Sequence, residues 1–461
     1  MKIIICLLIC FYSINISFSQ PHIRGTVTLD MEKGYIHCEF RVSNLPELTN
    51  YKILLNHGMN IKYFRNKKGQ LIPYNGYYAG KMNGEGLEYY FVNNQNVKIN
   101  LESTFEIEYS GAFPVYKKDL NGFDFKGYIA VNENTLRATE QSKWYPILYD
   151  EDTDRRIDNY TYDITVNTKT SKSVFINGNP PKKGISSVFK SSKAFPLFLF
   201  AGDYNFVKVK GNYLINTDVT EDVSKKIFEN IDSIKLYYKN LLGTDFKDEI
   251  YIINHKAVKD LKNGSWGFNT YPAFGFSNLN FSKLLTKENK FKENRYKFFA
   301  HELAHNYFGN NVNSGKLSWF WLEGTAEYLS LVALEDYTNK KNVDGYYAYY
   351  CKSIKKKKFI PLNDIKNKKQ INSDYRYILG PLIFKSFEIS FGRKITINTL
   401  KTLLELSKKQ TLDIKIWEKS AIKNGVSRES FKTFKKDFLS SNMFKENNIN
   451  LIRKTITKTT Y

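Results

Sequence analysis

The chain has 461 residues, more than one hydrophobic core usually serves, so we expect two or three domains. Hydrophobic residues make up 42% of the sequence and aromatic residues 16%, which excludes an intrinsically disordered chain. The formal net charge is +23, but the basic residues are spread along the chain apart from a run at Lys355 to Lys358, which we interpret as a solvated face.

Residues 1 to 20 contain Lys2, an apolar run from Ile3 to Tyr12, and small and polar residues around Ser17 and Ser19. This order is typical of a secretory signal peptide; a buried N-terminal strand is the alternative. No later stretch has the ~20 apolar residues that a membrane-spanning helix needs. We therefore expect an exported protein that is periplasmic, extracellular or peripherally attached to a membrane. Export argues against nucleic acid as a partner, despite the positive charge.

Residues 21 to 211 alternate apolar and polar side chains in short runs that end at Gly, Asn and Asp. Period-two patterning with these turn residues predicts antiparallel strands, and hence an N-terminal β domain. With the signal peptide removed, Cys38 and Cys351 are the remaining cysteines, and we interpret them as buried thiols rather than as a disulfide framework.

The pattern changes near Val219, where apolar residues recur at helical spacing up to Gly243, a suitable C-cap. A strand-like segment, EIYIINH, and a stretch rich in Gly, Asn and aromatic residues from Gly264 to Phe281 follow. Helices are predicted over Glu293 to Phe308 and over Ser318 to Asp336, and helical spacing continues from Gly380 onward. We assign residues 212–390 to a second domain and residues 391–461 to a C-terminal helical segment.

The segment NRYKFFAHELAHNYFGN places His301 and His305 four positions apart in a predicted helix. At that spacing both imidazoles lie on one helix face, where they can bind a single zinc ion. Glu302 then lies beside the metal without ligating it, where its carboxylate can deprotonate a zinc-activated water. Catalytic zinc sites take a third protein ligand, and Glu323 in WFWLEGTAEY is the candidate.

Both segments resemble those of the aminopeptidase N-like gluzincins, thermolysin-related zinc peptidases with a β-sheet N-terminal domain. HELAHNYFGNNV is similar to the family's HELAHQWFGNxV, and WLEGTAEYLS to its WLNEGFAxYLS; KWYPILYDED and FLFAGDYNF match more weakly. The resemblance implies one zinc ion per chain on His301, His305 and Glu323, with Glu302 as general base and acid. It also implies an α+β multidomain fold, in which an N-terminal antiparallel β-sheet domain precedes a thermolysin-like catalytic domain with a short helical C-terminus.

The family also uses a tyrosine, in a Tyr-x-x-Gly context, to stabilise the oxyanion of the tetrahedral intermediate. Tyr377 in DYRYILGP matches this context, and Tyr375 is the alternative. Glu327, one helical turn beyond Glu323, either accepts a hydrogen bond from a zinc-bound imidazole or lies on a solvated helix face. Asn310 is expected to turn the chain where the first zinc helix ends.

The chain departs from the family pattern in two places. WLEG lacks the Asn of WLNEG, so Glu323 comes one residue early; we expect a shorter loop to absorb the difference, with Glu327 as the substitute ligand otherwise. The family's aminopeptidases also carry a Gly-x-Met-Glu-Asn strand whose glutamate binds the substrate's free α-amino group. We place the corresponding strand at Tyr271 to Ser282, which contains no carboxylate, so exopeptidase and endopeptidase activity both stay open.

The expected function is therefore that of an exported zinc metallopeptidase that hydrolyses peptides or unfolded protein. The alternative is a catalytically inactive binding or scaffolding protein with the gluzincin fold. The complete ligand set and the intact Glu302 favour the enzyme.

Overall fold

The computed structural model describes residues 20–76, 82–117, 124–255, 266–309, 312 and 315–456. Residues 1–19 of the predicted signal peptide lie outside these ranges, and so does Asn310. None of the helices in these ranges combines the length and the apolar character needed to cross a membrane.

The N-terminal half is built from β-strands, as its period-two pattern predicts. In many of these strands buried residues alternate with more exposed ones, so that one face of the strand meets the core. The strands are β1 (His22–Asp30), β2 (Tyr35–Ser43), β3 (Tyr51–Asn56), β4 (Met59–Asn66), β5 (Tyr74–Asn75), β6 (Met82–Asn83), β7 (Gly86–Phe91), β8 (Phe105–Ala112), β9 (Val115–Tyr116), β10 (Ala130–Asn132), β11 (Thr135–Ala138), β12 (Ile147–Asp150), β13 (Arg155–Ile157), β14 (Asn159–Ile176), β15 (Lys182–Pro196) and β16 (Leu199–Gly202).

These strands form two sheets that share one core. The larger sheet has the order β4-β8-β2-β1-β14-β16-β11-β10-β9, with β15 paired to β14. The smaller sheet has the order β13-β12-β3-β7-β5, with β6 paired to β7. Most neighbours are antiparallel, while β1 runs parallel to β14 and β9 to β10. The rings of Tyr51, Phe105 and Trp144 are fully buried in the shared core.

A separate sheet begins the part of the chain that carries the zinc motif. Its strands are β17 (Phe206–Val209), β18 (Asn212–Ile215), β19 (Tyr251–His255), β20 (Trp266–Thr270) and β21 (Ala273–Ser277). The order is β17-β18-β19-β21-β20, which makes β20 an edge strand. This sheet starts at Phe206, ahead of the predicted domain boundary after residue 211. The sequence pattern does not mark this start, because β17 has the same short strand pattern as the strands before it.

Helices cover one side of this sheet and make up the rest of the chain. They are α1 (Glu221–Leu242), α2 (Glu293–Ala304), α3 (Thr325–Tyr337), α4 (Lys340–Ser353), α5 (Gly380–Phe391), α6 (Arg393–Ser407), α7 (Ile414–Lys423), α8 (Arg428–Phe434) and α9 (Phe444–Thr455). The predicted helix before Gly243 is confirmed: Thr220 caps the start of α1, and Gly243 ends it with a φ of +74°.

The C-terminal helices share one core with the helices that carry the zinc motif. Trp417 of α7 is buried against Phe384 of α5 and against Phe320, which precedes α3. The cluster is continuous from Val209 to Ile452. The predicted helical C-terminus is therefore confirmed, and it supports the elements that carry the zinc motif.

The burial of the two cysteines and of the lysine run agrees with the interpretation of the sequence. Cys38 and Cys351 are free and buried, as predicted. All four lysines from Lys355 to Lys358 are exposed, as expected of a solvated face.

The β domain and the five-stranded sheet meet through an aromatic cluster and a buried ion pair. Phe175 and Phe198 of the β domain pack with Tyr251 and Phe268 of the five-stranded sheet. Beside them, an Arg137 Nη donates to Asp124 at 2.7 Å with both side chains fully buried, and Ser277 of β21 donates to the same carboxylate at 2.7 Å. One carboxylate thus joins the two sheets.

We predict that Asp124→Ala destabilises the protein by about 3 to 5 kcal/mol, because it leaves the Arg137 charge buried without its anion. Urea denaturation followed by circular dichroism measures the change in the free energy of unfolding. Lys226→Ala, which removes only the exposed pair with Glu229, is the control and should cost much less. Equal losses in the two variants would contradict the assigned role of Asp124.

Candidate metal centre

Helix α2 carries both histidines of the zinc motif. Its inner face, which includes Phe299 and Leu303, is buried in the core and fixes the rotation of the helix. His301 lies in the last turn, and His305 is the residue at which the helix ends, still with helical backbone angles. The two imidazole rings lie 4.8 Å apart, nearly perpendicular. They therefore face a common point, as the four-residue spacing predicts.

Glu323 approaches that point from a wide helical turn, Phe320–Gly324, which leads into α3. One carboxylate oxygen, Oε2, lies 3.3 Å from His301 Nε2 and 3.4 Å from His305 Nε2. Burial raises the pKa of Glu323, but the charges and hydrogen bonds of the two histidines outweigh it and hold this pKa well below its usual range. The carboxylate is therefore anionic between the two rings.

These three side chains fit a zinc ion. Their ligand atoms all lie within 4.8 Å of one another. Zinc–ligand bonds of about 2.0–2.1 Å in a tetrahedron separate neighbouring ligand atoms by roughly 3.3 Å, close to the two distances that Glu323 makes. The one-residue shortening of WLEG does not keep Glu323 from the histidines, so the substitute position of Glu327 is not needed for contact.

Glu327 holds the far side of His301. Its Oε2 lies 2.8 Å from His301 Nδ1, its Oε1 lies 2.5 Å from Lys297 Nζ, and the Tyr350 hydroxyl donates to the same Oε1. Only 4% of Glu327 is exposed, which excludes the solvated helix face that the sequence left open. A carboxylate on Nδ1 leaves Nε2 of His301 directed at Glu323.

Glu302 is buried at the wall of the cleft that leads to the histidines, with 6% of its surface exposed. Burial raises its pKa, while the neighbouring histidines act in the opposite direction. The backbone carbonyl of Glu302 accepts a hydrogen bond of 2.9 Å from the Asn269 side chain of β20. Strand β20 therefore fixes the helix at the residue that is the candidate base.

The structure separates the two candidate tyrosines. Both lie in a second wide helical turn, Tyr375–Leu379, which leads into α5. Tyr377 is 41% exposed, lines the cleft and has its ring centroid 6.0 Å from that of His301. Tyr375 is fully buried against Phe359. Only Tyr377 can meet a molecule in the cleft.

Burial raises the pKa of Tyr377, and the charges of Glu323 and Glu302 raise it further. The phenol therefore keeps its proton at neutral pH and can act as a hydrogen-bond donor.

Two glycines bring the wide turns of Glu323 and Tyr377 together. A Cβ added to Gly380 would lie 3.0 Å from the Gly324 Cα and 3.1 Å from the Tyr375 carbonyl oxygen. The backbones can be this close only because neither residue has a side chain. In the sequence Gly380 stands out only as a position of the Tyr-x-x-Gly context, and nothing local marks Gly324 as its partner.

The cleft has a volume of about 730 Å³ and is lined by both domains. Its walls are formed by strand β20, Tyr377 and the helices of the zinc motif, and the β domain adds Lys126. Lys126 Nζ lies 2.5 Å from Glu140 Oε1, whose side chain is fully buried, and donates to the Asn269 carbonyl at 2.5 Å. No sequence pattern indicates that the pair of Lys126 and Glu140 lies at the cleft, because the cleft residue that Lys126 contacts, Asn269, lies more than a hundred positions later in the chain.

The cleft strand lies elsewhere than predicted. The sequence analysis places it within Tyr271 to Ser282, whereas β20 (Trp266–Thr270) lines the cleft and β21 lies behind it, fully buried. The placement was wrong because β20 and β21 are both short and aromatic, and only the sheet order decides which one is outermost. Like the stretch first chosen, β20 contains no carboxylate.

No protein-family model matches the chain, and no curated protein matches it by sequence. Its structure is similar to that of the M1 zinc metallopeptidase from Deinococcus radiodurans, with 14% identity, a TM-score of 0.59, and coverage of 92% of this chain and 93% of that one. A mutant of the Deinococcus enzyme bound to a Tyr-Ser-Ala substrate gives 13% identity, a TM-score of 0.58, and coverage of 91% and 93%.

Native LTA4 hydrolase from yeast is similar as well, with 12% identity, a TM-score of 0.59, and coverage of 89% of this chain and 65% of that one. At such identities these likenesses establish the fold. The predicted α+β architecture, with an N-terminal β-sheet domain and a helical C-terminal region, is confirmed.

We predict that Gly380→Ala destabilises the protein by about 1 to 3 kcal/mol and weakens zinc binding, because the new methyl group pushes the Gly324 backbone, and with it Glu323, away. Urea denaturation and zinc titration against a chromogenic chelator measure the two effects. Gly184→Ala is the control, since its Cβ would meet nothing closer than 3.4 Å. Stabilisation of the Gly380→Ala variant, as an unhindered helical Gly→Ala change would give, would exclude the proposed contact.

Proposed function

We propose that this protein is an exported zinc metallopeptidase related to the aminopeptidase N-like M1 enzymes. One observation carries the proposal: His301, His305 and Glu323 converge in a cleft that also presents Glu302 and Tyr377. The fold shared with M1 zinc metallopeptidases supports it, and one such enzyme has been crystallised with a peptide substrate. The apolar N-terminal segment supports export.

His301, His305 and Glu323 would hold one zinc ion in the proposed site. Zinc there would supply Lewis acidity, which lowers the pKa of a water molecule and polarises a substrate carbonyl. Glu302 takes a proton from the attacking water and passes it to the leaving amine. Its carboxylate is buried at the wall of the cleft, beside the two histidines of the proposed site.

Tyr377 is proposed to donate a hydrogen bond to the oxyanion that forms on the substrate. Its ring lies beside His301, in the middle of the turn Tyr375–Leu379, and its hydroxyl is protonated at neutral pH. A donor held in position before the reaction stabilises developing charge without reorganising.

Glu327 is proposed to orient a metal ligand rather than to bind metal. Through His301 Nδ1 it fixes the tautomer and the ring plane, and Lys297 and Tyr350 in turn fix Glu327. The carboxylate is buried and already has three partners, so it has no need to turn toward the zinc site.

Substrates are proposed to be peptides or unfolded protein segments lying along β20. The outer edge of this strand can pair with an extended peptide backbone. The experiment that tests the function is incubation of zinc-loaded protein with a mixed peptide library, with cleavage positions read by mass spectrometry. Cuts confined to the first bond would identify an aminopeptidase, and internal cuts an endopeptidase.

We predict that Glu302→Gln keeps one zinc per chain and lowers kcat by roughly 10²- to 10⁴-fold, because the amide cannot accept the proton. Atomic absorption gives the zinc content, and turnover of a library-derived peptide gives kcat. Glu229→Gln, the same change on an exposed face of α1, should leave both values unaltered. Full activity in the Glu302→Gln variant would exclude Glu302 as the base, and purified protein without zinc at neutral pH would support the scaffolding alternative.

We predict that Glu327→Gln weakens zinc binding by roughly 10- to 100-fold, because His301 loses the charged partner that orients it. Competition with a fluorescent chelator measures the affinity. Glu335→Gln on the same helix is the matched control, since Glu335 pairs with Arg393 at 3.6 Å and not with a candidate ligand. An unaltered zinc affinity in the Glu327→Gln variant would remove Glu327 from the metal centre.

A further inference from the structure

Some of the charged side chains that line the cleft form ion pairs with described residues, and one does not. Its three lining carboxylates, Glu302, Glu323 and Glu327, all belong to the metal centre. Three cations also line it, Lys126, Lys297 and Arg376. Lys126 is paired with Glu140 and Lys297 with Glu327, each at 2.5 Å. Among the residues that the structure describes, no carboxylate forms an ion pair with Arg376.

Arg376 is held in place without an anion. Its guanidinium carbon lies 3.8 Å from the centre of the Trp319 ring, and its Nε donates to the Ile371 carbonyl at 3.0 Å. Burial lowers the pKa of Arg376, which reflects the water that the guanidinium has lost. Stacking and the Nε bond fix the plane, while no hydrogen bond from the terminal nitrogens to a described residue is present. A planar donor pair of this kind matches a carboxylate.

Arg376 also lies at the right place for a substrate group. It directly precedes Tyr377 in the wide turn Tyr375–Leu379, and Trp319 directly precedes the turn that carries Glu323. The guanidinium therefore bridges the two turns that meet at the candidate metal centre. Lys126 and Lys297 are ion-paired, so Arg376 is the lining cation without an ion pair among the described residues, and Glu323 acts on its charge only through space.

We propose that Arg376 binds a carboxylate of the substrate, so that the cleft prefers peptides with a negative charge near the cleaved bond. This inference rests on the proposed peptidase function and names its substrate class. The carboxylate comes either from the C-terminus of a short peptide or from an acidic side chain. A substrate α-ammonium finds no unengaged carboxylate among the described residues that line the cleft.

The test compares four forms of tetra-alanine: the free acid, the C-terminal amide, and the amide with either Glu or Gln at its third position. For the wild type we expect kcat/KM to favour one of the two acidic peptides over its neutral partner by roughly 10- to 100-fold, as a charged hydrogen-bond pair would give. The free acid against the amide tests the C-terminus, and Glu against Gln tests the side chain.

The variants are Arg376→Gln, Arg376→Lys and, as a control, Lys357→Gln. Lys357 is exposed and pairs with Asp374, so its loss removes a nearby positive charge outside the cleft lining. The preference should fall toward one in Arg376→Gln, be partly kept in Arg376→Lys, and stay at the wild-type value in Lys357→Gln. A wild type without preference, an undiminished preference in Arg376→Gln, or an equal loss in Lys357→Gln would each overturn the proposal.

Binding separates this inference from the proposed function. Calorimetric titration of the same peptides into zinc-loaded Glu302→Gln protein measures affinity without turnover. If the wild type cleaves none of the peptides but the variant binds the acidic ones more tightly, the peptidase assignment fails and Arg376 stands. If the peptides are cleaved, but the acidic and neutral ones do not differ in rate or in affinity, the peptidase function stands and the proposed role of Arg376 fails. Should Arg376→Gln not fold, Arg376→Lys, which keeps the charge but not the planar donor pair, takes its place, and an undiminished preference in that variant would overturn the proposal.

Discussion

The close approach of Gly324 and Gly380 is the constraint on which the candidate site depends. Each glycine lies in or directly beside a wide helical turn, one carrying Glu323 and the other Tyr377. Because neither residue has a Cβ, the two turns pack backbone to backbone, and the aromatic cluster of Phe320, Phe384 and Trp417 beneath them keeps them there. Proposed ligand, oxyanion donor and carboxylate receptor thereby sit on one rigid support.

Burying so many charges in one place would be costly unless each had a partner. In the candidate site, each of the following charged side chains has such a partner. Glu323 lies between two imidazoles, Glu327 is neutralised by Lys297 and bound by Tyr350, and Lys126 is paired with Glu140. Loss of one partner therefore affects several side chains at once, which is why mutations one contact away from the histidines should alter zinc affinity.

The β domain contributes to the cleft rather than only standing beside it. Lys126 reaches across to the Asn269 carbonyl of β20, and Thr270 of the same strand donates to Glu140. Asn269 in turn holds the backbone of Glu302. The strand that lines the cleft is thus fixed from both domains, and its position relative to the candidate base follows from the domain interface.

The amino-acid sequence by itself determined the β-rich first half, the helical second half and the group of His301, Glu302, His305 and Glu323 as residues to be brought together. These features are local: period-two and helical spacing and the four-residue interval act over a few positions, so they can be read in the chain. Tertiary structure alone decided that β20 and not β21 faces the cleft, that Glu327 is buried on His301 and that Tyr377 lines the cleft while Tyr375 is buried. It also paired Lys126 with Glu140 and left Arg376 without an anion in the described cleft. Those outcomes depend on sheet order, on helix rotation and on contacts between distant segments, which no short window of sequence contains.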